Sequence, residues 1–124
     1  QALGHQVVDV GTSGEQSCDY PDYASAVAHK VAGGECERGV LVCGTGIGMS
    51  IAANKVPGIR AALISDEKGA ELSRQHNDAN VFCAGARSLP LLRIAEYLKI
   101  WLQTPFEGGR HERRLEKIRG LEKP

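Results

Sequence analysis

Val40-Leu41-Val42-Cys43-Gly44-Thr45-Gly46-Ile47-Gly48-Met49-Ser50-Ile51-Ala52-Ala53-Asn54 is the stretch whose reading decides the fold. Its first residues are apolar and β-branched and read as a buried strand that stops at Cys43. Gly44, Gly46 and Gly48 follow at alternate positions, and then an apolar segment without Pro or Gly that suits a helix. Such a strand–glycine loop–helix unit lets the backbone turn tightly and approach a bound group. The N–H groups that open the helix, from about Gly46, favour an anion there. Cys43 stands at the mouth of the turn, where a helix start favours thiolate over thiol and suits a base or nucleophile. The spacing G-x-G-x-G is not a dinucleotide fingerprint and lacks the Lys of a P-loop. Alone, it fits a tight turn beside an inert cysteine equally well.

The rest of the chain bounds the choice. Its 124 residues fit one domain with a single core, and a formal net charge of zero gives no reason to expect a nucleic-acid or membrane partner. No apolar run is long enough to span a bilayer and no signal peptide is read, so the expected location is cytoplasmic. Cys18, Cys36, Cys43 and Cys83 form no C-x-x-C pair and are expected to be free thiols, with neither a disulfide scaffold nor a zinc site.

Outward from the central stretch, elements alternate. Gln1-Ala2-Leu3-Gly4 reads as the end of a helix, and His5 to Val10 as a strand. A helix end at the very front suggests that a preceding βα unit is absent. A polar loop leads to Asp19-Tyr20-Pro21-Asp22, which opens an amphipathic helix carrying Tyr23, Ala24, Val27, Ala28 and Val31 and closed by Gly33-Gly34. Beyond the central helix, Ile59 to Ile64 reads as a strand and Ser65-Asp66 as the cap of a helix over Glu67 to Gln75. His76 to Asn80 is a polar loop, and Val81 to Ala84 another strand. Leu89 to Gln103 is the longest helix, with Leu91, Ile94, Ala95, Leu98, Trp101 and Leu102 on one face.

Alternation of apolar strands with helices predicts an α/β fold, a Rossmann-like parallel sheet with helices on both faces and strands buried on both sides, apparently lacking its first βα unit. Ligands in such sheets bind beyond the carboxyl ends of the strands, which places Cys43 to Gly48, and less directly His76 to Asn80, at one edge. The Met49 helix is apolar nearly all round and is expected to be buried, in the core or between subunits. In the tail, over 106–124, Arg110 and Arg114 stand four apart on one helical face, where two guanidiniums can fork onto a phosphate. With only Leu115 and Ile118 to bury, that helix is expected to dock on another surface.

Four motifs now carry a resemblance. Asp19-Tyr20-Pro21-Asp22-Tyr23-Ala24, Val42 to Lys55, Ser73-Arg74-Gln75-His76-Asn77-Asp78-Ala79-Asn80 and Phe106-Glu107-Gly108-Gly109-Arg110-His111, in this order, resemble ribose-5-phosphate isomerase type B, a family that also holds galactose- and allose-6-phosphate isomerases. The resemblance implies one sugar-phosphate isomerase domain over 1–124, an enzyme of carbohydrate metabolism needing no metal and no cofactor. It interconverts ribose 5-phosphate and ribulose 5-phosphate through an enediolate. By similarity Cys43 is the base that moves a proton between C1 and C2, and Thr45 hydrogen-bonds near the thiol. The N–H groups of Gly44, Gly46, Ile47 and Gly48 hold the developing oxyanion. His76 opens the furanose ring, Asn77 binds a sugar hydroxyl, Arg110 and Arg114 clamp the phosphate, Tyr20 lines the pocket, and His111 aids the phosphate or is merely exposed. The family's sites combine residues of two subunits, so a homodimer or homotetramer is expected. The Asp-His pair that ends the family's first strand does not occur here, and a chain lacking it is expected to show little activity. The alternatives are the same chemistry on a six-carbon phosphate, or a non-catalytic phospho-ligand or nucleotide-binding module.

Overall fold

The structure is a computed structural model that describes residues 20–122. The helix end over 1–4, the expected strand over 5–10, the loop over 11–19 and Cys18 lie outside the described residues. In chain order come α1 (Tyr20–Ala32), β1 (Gly39–Cys43), α2 (Ile47–Asn54), β2 (Ala61–Leu63), α3 (Glu67–Gln75), β3 (Val81–Gly85), α4 (Leu91–Gln103) and α5 (Arg110–Arg119). Among the described residues the sheet has three parallel strands in the order β1-β3-β2. Gly39 pairs with Val81 and Cys43 with Gly85, while Ala61 to Leu63 run beside Val81 to Cys83.

Helices cover both faces, as the alternation of elements requires. Against one face, Ala24, Ala28 and Val31 of α1 and Met49 and Ala53 of α2 pack on Leu41, Val81 and Cys83. Against the other, Ala70, Ile94 and Trp101 of α3 and α4 pack on Phe82 and Ala84. Alternating side chains of β3 feed both cores, and all five of its residues are buried.

Four expectations need correction. The expected burial of most strands on both sides holds, among the described residues, for β3 alone. In β1 burial alternates and Val40 and Val42 are each 41% exposed, because among the described residues β1 and β2 flank β3 as edges. The second strand is shorter than its apolar run, only Ala61–Leu63. Helix α2 is not buried all round: Met49 and Ala53 face the core, while Ile47 and Ile51 are 51% and 56% exposed. Helix α4 starts at Leu91, since Pro90 holds an extended ψ of 149° before it, and Leu91 and Leu92 stand in solvent rather than on the core stripe.

Two asparagines tie the edge near the second strand. The Asn54 amide donates to the Ala61 carbonyl (3.0 Å) and accepts from the Ala61 N–H (2.8 Å), as a neighbouring strand would. Asn80 bonds in the same manner to Arg60 N–H (2.8 Å) and the Gly58 carbonyl (3.0 Å). Asp66 caps α3 as expected, accepting from Gly69 N–H at 2.6 Å.

Candidate active site

The first group of residues sits at the carboxyl end of the sheet. β1 delivers Cys43 to its end, and the loop Gly44–Gly46 turns into α2. The loop is fastened to its neighbour: Ala86 N–H donates to the Cys43 carbonyl at 2.7 Å and Arg87 N–H to the Gly44 carbonyl at 2.9 Å. Gly46 caps α2 with φ +80°, and a Cβ there would also run into Leu63 and the Ala84 backbone. No other residue type meets both conditions. The Tyr20 phenol occupies the space that a side chain at Gly48 would need, so the start of α1 lies over the glycine loop.

Cys43 is half-buried at the rim of the first core, while Cys83 beneath it is fully buried. Burial, and then the proximity of Cys43, push the Cys83 thiol up to about 12, which leaves it inert. Thr45 Oγ1 accepts the Ile47 N–H at 3.2 Å, so one of the N–H groups read as open to an anion already has a partner. Arg87 was not singled out by the sequence reading. Its guanidinium lies against Gly44, with Nε 3.2 Å from where a Cβ would stand. The signal that points to it is positional: Gly85-Ala86-Arg87-Ser88 leaves a parallel strand at the carboxyl edge of the sheet, where ligands collect.

The second group sits at the other end. His76 ends α3, and the loop through Asn80 runs into β3 at Val81, opposite Gly39 of the parallel β1. Cys43 lies at the far end of the same ladder, four residues on, or about 13 Å at ~3.3 Å per residue. The expected common edge is therefore corrected. The glycine loop leaves a strand whereas the His76 loop enters one, and in a parallel sheet these are opposite poles.

Around His76 the structure gathers Glu107, His111, Arg110 and Arg114. Glu107 N–H donates to the Gln75 carbonyl at 3.1 Å, which brings the start of α5 beside the end of α3. The His76 and His111 rings stack with centroids 4.2 Å apart and planes 15° from parallel. His111 is 7% exposed and its Nε2 lies 3.9 Å from Glu107 Oε1. Burial, then His76 and Arg110, hold its proton affinity below the usual histidine range, with Glu107 pulling the other way and Arg114 adding to the depression. Arg110 and Arg114 are exposed, as is Asn77.

One atom each from His76, Glu107 and His111 lie within 4.8 Å of one another, a set that could ligate a metal. Arg110 and Arg114, whose charges reach His111, oppose a dication there and favour an anion. One chain thus holds a thiol with an anion-favouring loop at one pole, and a paired imidazole with two arginines at the other.

Residues 1–118 match the family described as Ribose/Galactose Isomerase. The chain is 50% identical over 119 residues to ribose-5-phosphate isomerase B of Escherichia coli, covering 96% of this chain and 80% of that protein. Among solved structures, ribose-5-phosphate isomerase B of Clostridium thermocellum superposes with a TM-score of 0.95 at 49% identity, covering 98% of this chain and 82% of that one. The enzyme of Mycoplasma genitalium with bound ribulose-5-phosphate gives a TM-score of 0.93 at 43% identity, covering 98% and 81%.

Proposed function

Because the chain belongs to the Ribose/Galactose Isomerase family, we propose that it interconverts ribose 5-phosphate and ribulose 5-phosphate in a site shared by two subunits. The observation that carries this reading is Cys43, half-buried at the lip of the glycine loop rather than sealed in the core as Cys83 is. The Cys43 thiolate takes the C2 proton of the open aldose and returns it to C1. The enediolate oxygen that forms between these steps faces N–H groups of the Gly44–Gly48 turn, and Thr45 shapes that turn through its bond to Ile47. His76 moves the protons that open the furanose ring, with Asn77 beside it on a sugar hydroxyl. Arg110 and Arg114, one turn apart on α5, clamp the phosphate. Tyr20 closes the wall over Gly48. No metal or cofactor takes part in these steps.

The two poles meet only if a second chain brings its His76 end to the first chain's Cys43 end, so a homodimer is part of the proposal. A cytoplasmic enzyme of pentose phosphate metabolism fits the free thiols at Cys36, Cys43 and Cys83, and no described helix is long and apolar enough to cross a membrane.

Turnover of ribose 5-phosphate, followed in a coupled assay, tests the assignment. Cys43→Ala is expected to lower kcat by about 100-fold or more, and full activity in that variant removes Cys43 as the base. The family description also names galactose. One extra carbon alters binding by about 1–3 kcal/mol, so kcat/KM for ribose 5-, allose 6- and galactose 6-phosphate ranks the substrates directly. Binding of a sugar phosphate without turnover, insensitive to thiol alkylation, would instead mark a non-catalytic binding module.

A further inference from the structure

His111 is an unusual residue to bury. Of the helix α5 only His111 and Leu115 are withdrawn from solvent, and a polar ring carries a desolvation cost that Leu115 does not. Its nearest acidic partner, Glu107, stands at 3.9 Å, beyond hydrogen-bond length. Its close contact is the face of His76, at 4.2 Å and 15°. Nearly parallel rings at that separation leave each imidazole little freedom to rotate, and two positive rings so stacked repel. The charged groups whose fields reach His111 are His76 at the end of α3, Glu107 before α5, and Arg110 and Arg114 on α5.

We infer that His111 is a positioning residue for His76: its stacked ring fixes the orientation of the imidazole that opens the sugar ring. The inference rests on the isomerase reading above. In the step it serves, the anomeric O1–H gives up its proton and that electron pair becomes the C1=O π bond. The C1–O4 pair leaves with the ring oxygen, which receives a proton. The imidazole pair ends as it began, and nothing is oxidised or reduced. A ring held in one orientation can both accept and return that proton.

The test separates ring opening from carbon chemistry. Ribulose 5-phosphate has no furanose form, so uptake of solvent deuterium at its C1 needs Cys43 but not ring opening. In His111→Ala, kcat for ribose 5-phosphate is expected to fall about 10-fold or more, while KM stays within about 2-fold and deuterium uptake into ribulose 5-phosphate within about 3-fold. His111→Phe, which keeps a stacking ring, is expected to recover most of the loss above pH 7. Equal losses in both assays, a raised KM, or no recovery in His111→Phe overturns the inference. A substrate-free arm stands apart from the isomerase reading. By nuclear magnetic resonance, His111 in His76→Asn is expected to take its proton at higher pH than in the wild type. If it does not move, the rings are uncoupled and the inference fails. If wild-type protein neither turns over ribose 5-phosphate nor exchanges ribulose 5-phosphate, the isomerase reading fails, and the resonance titration still decides the coupling.

Discussion

Arg74 does at the scale of one side chain what a short loop cannot do for itself. It is 6% exposed, pairs with Asp78 at 2.7 Å, and donates to the carbonyls of Ala79 (2.7 Å) and Thr104 (3.1 Å). Those bonds hold the His76–Asn80 loop in shape, including Asp78 at a φ of +47°, and fasten the end of α3 to the end of α4. Removing one partner of a buried, hydrogen-bonded pair costs about 3 kcal/mol, so Arg74→Ala is expected to lower the urea midpoint with little change in slope. His111 gives a prediction in pH. An unfolded histidine takes its proton near about 6.5, and folded His111 resists doing so until the pH is lower. Below that value the unfolded chain binds the proton that the folded chain refuses. The His111 contribution to stability is therefore full above about pH 6.5 and is lost as pH falls toward its folded value. A His111→Phe melting series against pH should be flatter than the wild type over that window. Cys43 and its glycines were legible in the sequence because their signals are adjacent in the chain. Arg74 and Arg87 were not, because what gives each its place is remote in sequence: Thr104 for the first and Gly44 for the second.

At the scale of elements, the end of α4 illustrates how a helix finds its stop. Arg38, just before β1, donates to the Trp101 and Leu102 carbonyls at 3.1 Å each, and its guanidinium lies 5.2 Å from the centre of the Trp101 ring. It satisfies two of the carbonyls a helix leaves open and adds a cation–π contact. Arg38→Ala is expected to cost about 1–3 kcal/mol, with a change in Trp101 fluorescence, since Trp101 is the chain's one tryptophan. Arg38→Lys should recover only part of this, since an ammonium lacks the planar fork. Helix positions were read from apolar periodicity with little error because that signal is local. Strand burial differs from the expectation because flanking positions among the described strands depend on strand order, which apolar runs do not encode. The start of α4 shifted because Pro90 outweighs the apolar pattern that begins at Leu89.

For the whole molecule, the decisive fact is polarity: the thiol and the imidazole pair lie at opposite ends of one sheet. If two chains complete each site, then Cys43→Ala and His76→Asn protein, each inactive alone, should regain activity when unfolded together and refolded as a mixture. Random pairing of two-fold dimers gives half heterodimers, each with one intact site of two, or about a quarter of wild-type activity. Activity that stays at background after mixing would place the whole site within one chain. The fold class was legible because alternation of strand and helix leaves few topologies. The opposite placement of the Cys43 and His76 loops was not, because which pole a loop occupies depends on whether it enters or leaves a strand.

The Asn54 amide, clasped to both ladder groups of Ala61, also limits how copies can meet. A strand rim whose hydrogen-bonding partners are already engaged gives a passing chain little to zip onto, so growth of the sheet from molecule to molecule is blocked at that point. Contact between copies at that point would have to run through side chains, which saturate in a closed pair instead of propagating as a fibre.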